Sequence, residues 1–200
     1  MDPAGLVKTR PLTGEALEQA LPVLAALRIE VFRAFPYLYA GSADYEQRYL
    51  RDFAAAKDSF IIAAETDDGE IVGCATGSAI TGHHAEFSGA LVQAGFPLSS
   101  TFYFGESVLL PAWRGHGLGH AFFDAREAHA RARGYKRTCF CAVERAKDHP
   151  ARPENYSPLD SFWTKRGYRK LEGVLTEFAW PVVPGGPNLM HPMGYWMREL

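Results

Sequence analysis

Apolar residues recur along the chain with two different periods, and the switches between them mark the elements. Leu6 to Leu12 reads as a short first strand followed by a turn. Leu24, Leu27 and Val31 then recur at helical spacing. Leu21 stands just ahead of Pro22, a residue suited to a first helical turn. Pro36 breaks this helix within Phe32 to Gly41. Tyr45 to Ala56 is predicted helical and Ser59 to Ala64 a strand. Asp67, Asp68 and Gly69 form a hairpin turn, and Ile71 to Ile80 is the return strand. His83 to Ser100 has no clear period and reads as a loop with room for a short helix. Thr101 to Leu110, aromatic and aliphatic, is a strand closed by Pro111.

The strongest helical pattern is Leu118 to Arg133, where Leu118, Ala121, Phe122, Ala125, Ala128 and Ala132 share a face. Gly134 is placed to cap it. Thr138 to Val143 is a strand. Ser157-Pro-Leu-Asp160 has a capping-box pattern that opens a short helix ending near Gly167. Leu175 to Trp180 and Gly194 to Arg198 are late strands. This order predicts one α/β (α+β) domain over residues 1–200, a mixed sheet with helices on both faces and at least one crossover.

Composition narrows the function classes. Of 200 residues, 47% are hydrophobic and 22% charged, as in an ordinary folded domain. A net charge of -2 argues against broad nucleic-acid binding, which needs a basic face. No apolar run approaches the roughly 18 residues that span a bilayer, and Met1 to Arg10 has no signal pattern, so neither membrane nor secretion is expected. The three cysteines, Cys74, Cys139 and Cys141, form no disulfide framework, which suits a reduced, cytoplasmic protein. Cys139 and Cys141 would share a strand face as buried thiols. Pro181 to Gly194 is the only linker-like stretch.

The segment that carries chemistry is Glu106 to Phe123. A strand ends at Pro111, a glycine-rich loop Arg114-Gly-His-Gly-Leu-Gly119 follows, and a long helix opens from it. A helix N-terminus offers unpaired N–H groups and a positive dipole end. Glycines let an anion approach them, and Arg114 adds a permanent charge. Together they would cradle a pyrophosphate. The Gly-Lys-Ser/Thr ending of a P-loop is absent, and Gly115-x-Gly117-x-Gly119 has the wrong spacing for the dinucleotide fingerprint.

Arg114-x-x-Gly117-x-Gly119 resembles the coenzyme A pyrophosphate loop of the GNAT superfamily of N-acetyltransferases. Pro111, three residues before the arginine, fits that pattern. So does Phe162-Trp-Thr-Lys-Arg-Gly-Tyr168, which is similar to the family's later helix. The likeness is strong over 104–168 and loose elsewhere. It implies a mostly antiparallel central sheet and acyl transfer from acetyl-CoA to a primary amine of a small molecule or peptide. It assigns the pyrophosphate to Arg114, Gly115, His116, Gly117, Leu118, Gly119 and His120, and the pantetheine to the backbone of Val108, Leu109 and Leu110. Leu109 or Leu110 would donate to the oxyanion. Asn155 is the nearest match to the family's cofactor-side asparagine, one place out of register.

Acyl transfer to an amine needs a base, because an alkyl amine of pKa about 10.4 is protonated at neutral pH. Glu106, on the strand leading to the loop, is the candidate, directly or through water; a structural carboxylate is the other reading. Trp163 occupies the position where many family members carry a tyrosine acid. An indole N–H is no acid, so Tyr156 takes that role, with Tyr103 as a second candidate. Phe32, Phe35, Tyr37 and Tyr39 are core packing or, as the resemblance implies for this region, a wall of the acceptor pocket; Phe35, Tyr37 and Tyr39 are taken as its contacts. His116 and His120 stand four apart with no third ligand, so no metal is expected. His83-His84 reads as a solvated turn and His129 as a surface residue. Exposed strand edges would admit a homodimer. The alternative function is an acyl-CoA-binding regulatory module without chemistry.

Overall fold

In the computed structural model residues 7–82 and 85–200 are described, so the strand start at Leu6 and the His83-His84 turn lie outside them. Seven strands form one sheet: β1 (Val7–Pro11), β2 (Phe60–Thr66), β3 (Ile71–Ala79), β4 (Thr101–Leu109), β5 (Arg137–Val143), β6 (Arg169–Trp180) and β7 (Leu189–Glu199). Their spatial order is β1-β2-β3-β4-β5-β7-β6. Only β4 and β5 run parallel, joined by the predicted crossover helix. The mixed, mostly antiparallel sheet is as expected.

Helices cover both faces. On one, α1 (Gly14–Arg33) and α2 (Ala43–Ala55) bury Leu17, Leu21, Leu24, Leu27 and Leu50 against Ile61, Ala63, Cys74 and Val108. α3 (Ala85–Gln93) supplies Leu91 to a neighbouring cluster with Tyr103, Cys139, Cys141 and Met193. On the other face, α4 (Leu118–Ala132) packs Leu118 and Phe122 on Ile62, Val72 and Ala75. Near it, α5 (Asp160–Lys165) brings Phe162 and Trp163 to Phe104, Phe140 and Trp196. The three cysteines are free and buried. Burial raises each thiol, Cys141 to about 12, so they are inert core residues.

Several predicted boundaries move, for physical reasons. α1 begins at Gly14, and Pro22 lies inside it. The ring leaves the Glu18 carbonyl without its donor, but Glu18 and Pro22 both lie on the exposed side, where water serves. Ser157 does not cap α5, which starts after Leu159 with no side-chain cap. Asp160 sits in its first turn instead, against the positive dipole end. β6 starts at Arg169, six residues earlier than expected, because a register shift between Lys170 and Leu175 interrupts the alternation. The linker-like stretch shrinks to a hairpin loop, since Leu189 to Gly194 already belong to β7.

The buried face of α4 is also rotated from the expected one. Ala128 and Ala132 are exposed, while Phe123, Arg126, Glu127 and Ala130 are buried. A polarity pattern places charges outside; here Arg126 and Glu127 have partners inside. Glu127 receives Tyr168 Oη at 3.1 Å, Arg166 Nη2 at 3.2 Å and Arg198 Nη1 at 2.9 Å. His129 is half-buried and stacks on Phe60 with centroids 4.6 Å apart. Gly134, at φ 83°, ends the helix as predicted.

Candidate active site

The site grows from the point where β4 leaves β5. The two strands pair only from Thr101 to Tyr103, although β4 continues to Leu109 and β5 to Val143. Just past that point β4 carries one extra residue. Phe104 faces Gly77 and Ser107 faces Ala75, so Gly105 and Glu106 oppose Thr76 alone. This is a β-bulge, a device that bends a strand and re-aims its side chains. A Cβ on Gly105 would lie 2.5 Å from Thr76 Oγ1 and 2.8 Å from the Phe53 ring, so only glycine fits.

Beyond the bulge the amides take sides. Leu110 N–H donates to Val72 carbonyl at 3.0 Å. Antiparallel alternation then directs Val108 N–H to β3 as well, while Ser107 and Leu109 face the open gap toward β5. Of the three residues assigned to pantetheine, Leu109 alone points its amide outward. Leu110 is spent, so of the two expected donors only the Leu109 amide faces the gap, beside that of Ser107, which the sequence did not single out. The Val108 side chain is core, as expected.

The open edge runs into the loop. Pro111–Trp113 makes one 3₁₀ turn, and Arg114 Nε returns to Leu109 carbonyl at 3.1 Å on the same open side. Gly115 and Gly117 have φ of 83° and 82°, angles that favour glycine. Gly117 is the N-cap of α4, whose first turn holds no acidic residue and no side-chain cap. The first-turn N–H groups and the positive dipole end therefore suit an anion. Gly119 has ordinary angles and instead faces Phe162, 3.5 Å from where a Cβ would stand. The His120 ring is committed elsewhere: Nδ1 meets Arg166 Nη1 at 3.1 Å, and the ring packs edge-on against Phe162. Only its backbone can serve the loop. Leu118 is buried beneath. Half-buried His116 sits between the two left-handed glycines.

Glu106 points to the opposite side of the bulge, under α1 and α2. Its side chain is 3% exposed and one oxygen lies 2.6 Å from Arg28 Nη1, out of line for a hydrogen bond. Tyr49 hydroxyl reaches the other oxygen at 3.4 Å. Arg28 Nε also binds Glu46, fully buried, which in turn receives the Tyr39 hydroxyl. The guanidinium lies 4.3 Å from the Tyr49 ring centre and 5.3 Å from that of Phe32. Burial works against its charge, but Glu106, Tyr49 and Glu46 outweigh burial and raise its pKa. Two carboxylates and one guanidinium leave the cluster one negative charge. Arg28, Glu46 and Tyr49 were not anticipated.

The aromatic segment after α1 closes over this cluster. Tyr37 ring lies 4.6 Å from Phe32 and 5.9 Å from Trp180, and its phenol is raised by burial and then by Cys141 and Tyr156. Tyr39 is likewise raised, by burial and by its bond to Glu46, so both remain neutral. Phe35 meets Tyr156 edge-on at 4.7 Å, with Arg152 over both rings, so a predicted acceptor contact and the predicted acid come together. The segment is pinned from outside: Arg145 donates to Pro36 carbonyl at 2.7 Å and to Tyr37 carbonyl at 3.0 Å. Trp180 Nε1 also donates to Tyr37 carbonyl, at 3.0 Å.

Burial raises the Tyr156 phenol, which makes it a weaker acid. Tyr103 is buried, 3.5 Å from Cys141 sulfur, and raised further. Trp163 fills core space between Phe140 and Trp196. Asn155 lies exposed in a turn one residue before Tyr156. Among the described residues no cluster could hold a metal, and no helix is long and apolar enough to cross a membrane.

The open β4 edge, the bulge and the glycine loop at a helix start meet a matching family pattern. The acetyltransferase (GNAT) family model covers residues 24–154. The chain belongs to the GNAT acetyltransferase family. The fold agrees with solved members at low identity. A GCN5-related N-acetyltransferase from Kribbella flavida aligns at TM-score 0.61 and 16% identity, over 98% of this chain and 99% of that one. A ribosomal-protein-alanine N-acetyltransferase from Brucella melitensis gives 0.61 and 14%, over 96% and 99%. The yncA protein from Salmonella typhimurium, solved with its cofactor acetyl-CoA, gives 0.61 and 11%, over 97% and 94%. No curated protein matches the sequence. As a GNAT member the chain belongs to a family of acetyltransferases.

Proposed function

We propose that this GNAT acetyltransferase transfers the acetyl group of acetyl-CoA to the nitrogen of a primary amine on a small molecule or peptide. The observation that carries the reading is the unpaired outer edge of β4, running from Glu106 to the Arg114 loop. It offers backbone donors to an extended chain and ends at a helix start suited to a pyrophosphate.

Acetyl-CoA supplies a thioester, an acyl group with a good leaving thiolate. The N–H groups of Gly115 to His120, with Arg114, hold the diphosphate. The Leu109 amide fixes the arm, and the outward amides of β4 receive the negative charge that develops on the acyl oxygen. Glu106 accepts the proton that the amine must lose as its nitrogen bonds to the acyl carbon and the carbon–sulfur bond breaks. Its ion pair with Arg28 keeps it oriented, and the transfer runs directly or through a water. A thiol of pKa roughly 8.5 leaves without strong help, so Tyr156 is a minor contributor. The neutral wall of Phe35, Tyr37 and Tyr39 holds the apolar part of the acceptor.

The first test is thermal unfolding with acetyl-CoA. A ligand at a hundred times its Kd stabilises by about 2.7 kcal/mol, a rise of roughly 5–10 °C for a domain of this size. No rise at millimolar acetyl-CoA would sink the reading. Glu106→Gln then separates chemistry from binding: turnover on a reactive amine should fall by about 10²-fold or more with acetyl-CoA affinity unchanged. Binding without thiol release for any amine would favour a regulatory module instead.

A further inference from the structure

Arg126 occupies a position that its type rarely takes. It stands on α4 in line with Leu118, Phe122 and Ala130, and is 1% exposed. The guanidinium lies 4.1 Å from the Phe104 ring centre and 4.9 Å from that of Phe123. Nε donates to Phe122 carbonyl at 3.1 Å. Nη1 donates to Thr76 carbonyl at 3.1 Å and to Glu106 carbonyl at 3.0 Å, and Nη2 to Ser107 Oγ at 2.7 Å. All four acceptors are neutral. No carboxylate is in ion-pair contact with Arg126 among the described residues. A buried charge without a counter-ion costs several kcal/mol, and burial pushes this guanidinium down to about 10. A leucine here would fill the stripe at no such cost.

Three of the four acceptors share one feature. Glu106 lies in the β4 bulge, Thr76 stands opposite it and Ser107 follows it. The bulge frees the Thr76 and Glu106 carbonyls from the ladder, and one arginine nitrogen takes both. Thr76 Oγ1 takes the Glu106 N–H at 3.2 Å. The peptide joining Glu106 to Ser107 is thereby held at its carbonyl end. In a trans peptide the N–H points opposite to the C=O. Arg126 therefore sits behind this unit, and the Ser107 N–H faces the gap between β4 and β5. A cation on the carbonyl polarises the whole unit and makes its N–H a stronger donor.

We propose that Arg126 is a positioning residue for acyl transfer: through the Glu106–Ser107 peptide it aims the Ser107 N–H into the gap and strengthens its hydrogen bond to the acyl oxygen. The proposal rests on the acetyl-CoA reading above. It explains why a full charge is kept under the strand and why it comes from α4, whose first turn is the pyrophosphate loop. The helix that locates one end of the cofactor also tunes the donor at the other.

The test is the infrared carbonyl stretch of protein-bound acetyl-CoA labelled with carbon-13 at the acyl carbonyl, with affinity for unacylated CoA measured in parallel by calorimetry. In the unsubstituted protein the stretch should lie below its value for free acetyl-CoA. Arg126→Met should lose more than half of that displacement while CoA affinity changes by less than about threefold. Arg126→Lys keeps the charge but cannot reach both carbonyls, and should fall between. A displacement in Arg126→Met equal to that of the unsubstituted protein would overturn the proposal. If the methionine variant does not fold, an unchanged displacement in the lysine variant would do the same. So would the absence of any displacement in the unsubstituted protein that binds acetyl-CoA. Failure of that protein to bind CoA at all would instead remove the functional reading, and this inference with it.

Discussion

Replacing Arg28 by methionine strands two carboxylates under α1 and α2. The side chains of Glu46 and Glu106 are 0% and 3% exposed, and the Arg28 side chain between them is 9% exposed. Methionine keeps the stem and its packing on Phe32 and Tyr49 but removes the charge. Breaking a buried ion pair from one side costs about 3–5 kcal/mol, because the remaining charge is left unpaired in a poorly solvating interior. The Tyr39 and Tyr49 hydroxyls still serve the carboxylates, which favours the lower end, about 3 kcal/mol. For a domain of this size each kcal/mol moves the midpoint by about 2–4 °C, so the melt should fall by roughly 6–12 °C. Calorimetric or circular-dichroism melting at pH 7 reads this directly. Adding Glu46→Gln to Arg28→Met should recover part of the loss, because one stranded charge disappears; a coupling of about 0.5–3 kcal/mol is expected for residues in contact. If Arg28→Met melts within about 2 °C of the parent, the cluster is not a buried ion-paired unit, and the orientation assigned to Glu106 falls with it.

Further outcomes follow from the same geometry. Gly117→Val forces a branched residue to φ 82° at the N-cap of α4, a strain of about 1–2 kcal/mol. Among the described residues, its two chain neighbours apart, nothing lies within 4 Å of the new Cβ, so the fold should survive while acetyl-CoA affinity drops at least about tenfold; retained affinity by calorimetry would refute the loop assignment. Arg114→Ala should weaken the same binding more at low salt than at high salt, since its charge is exposed and screened. His191 donates from Nε2 to Trp180 carbonyl and accepts from Arg145 at Nδ1, and burial holds its pKa below the usual 6.5. A base with a depressed folded pKa binds more protons when unfolded, so its stability contribution is present above about 6.5 and is lost as pH falls below that value. Lowering pH from about 7.5 to about 5.5 should therefore depress the melting midpoint more in the parent than in His191→Gln; equal slopes would show that His191 is not the group responsible.

Much of this protein was legible in its sequence because the deciding signals are local. A proline-closed strand, an arginine, two glycines at left-handed angles and an apolar-striped helix are neighbours in the chain, and their backbone geometry follows from residue type. The family, the mixed sheet and the glycine loop that opens α4 could be read from them. Glu106 was singled out for the same reason, since it lies on the strand that enters the loop.

What only the tertiary structure decided are the partners of buried charges and the sides taken by backbone amides. Arg28 lies in the stripe of Leu21, Leu24 and Phe32, Glu46 in line with Leu50 and Phe53, and Arg126 in line with Phe122 and Ala130. A charge in register with an apolar stripe was the available signal. The sequence reading did not single these residues out, while helical period put the exposed Ala128 and Ala132 on the apolar face. Whether such a charge turns inward depends on what waits there: two carboxylates for Arg28, two freed carbonyls for Arg126. The two carbonyls are freed, and Glu106 turns under the helices, because β4 bulges opposite Thr76. One extra residue in one strand, visible only once its partner strand is in place, turns Glu106 under the helices and leaves the Ser107 and Leu109 amides facing the gap.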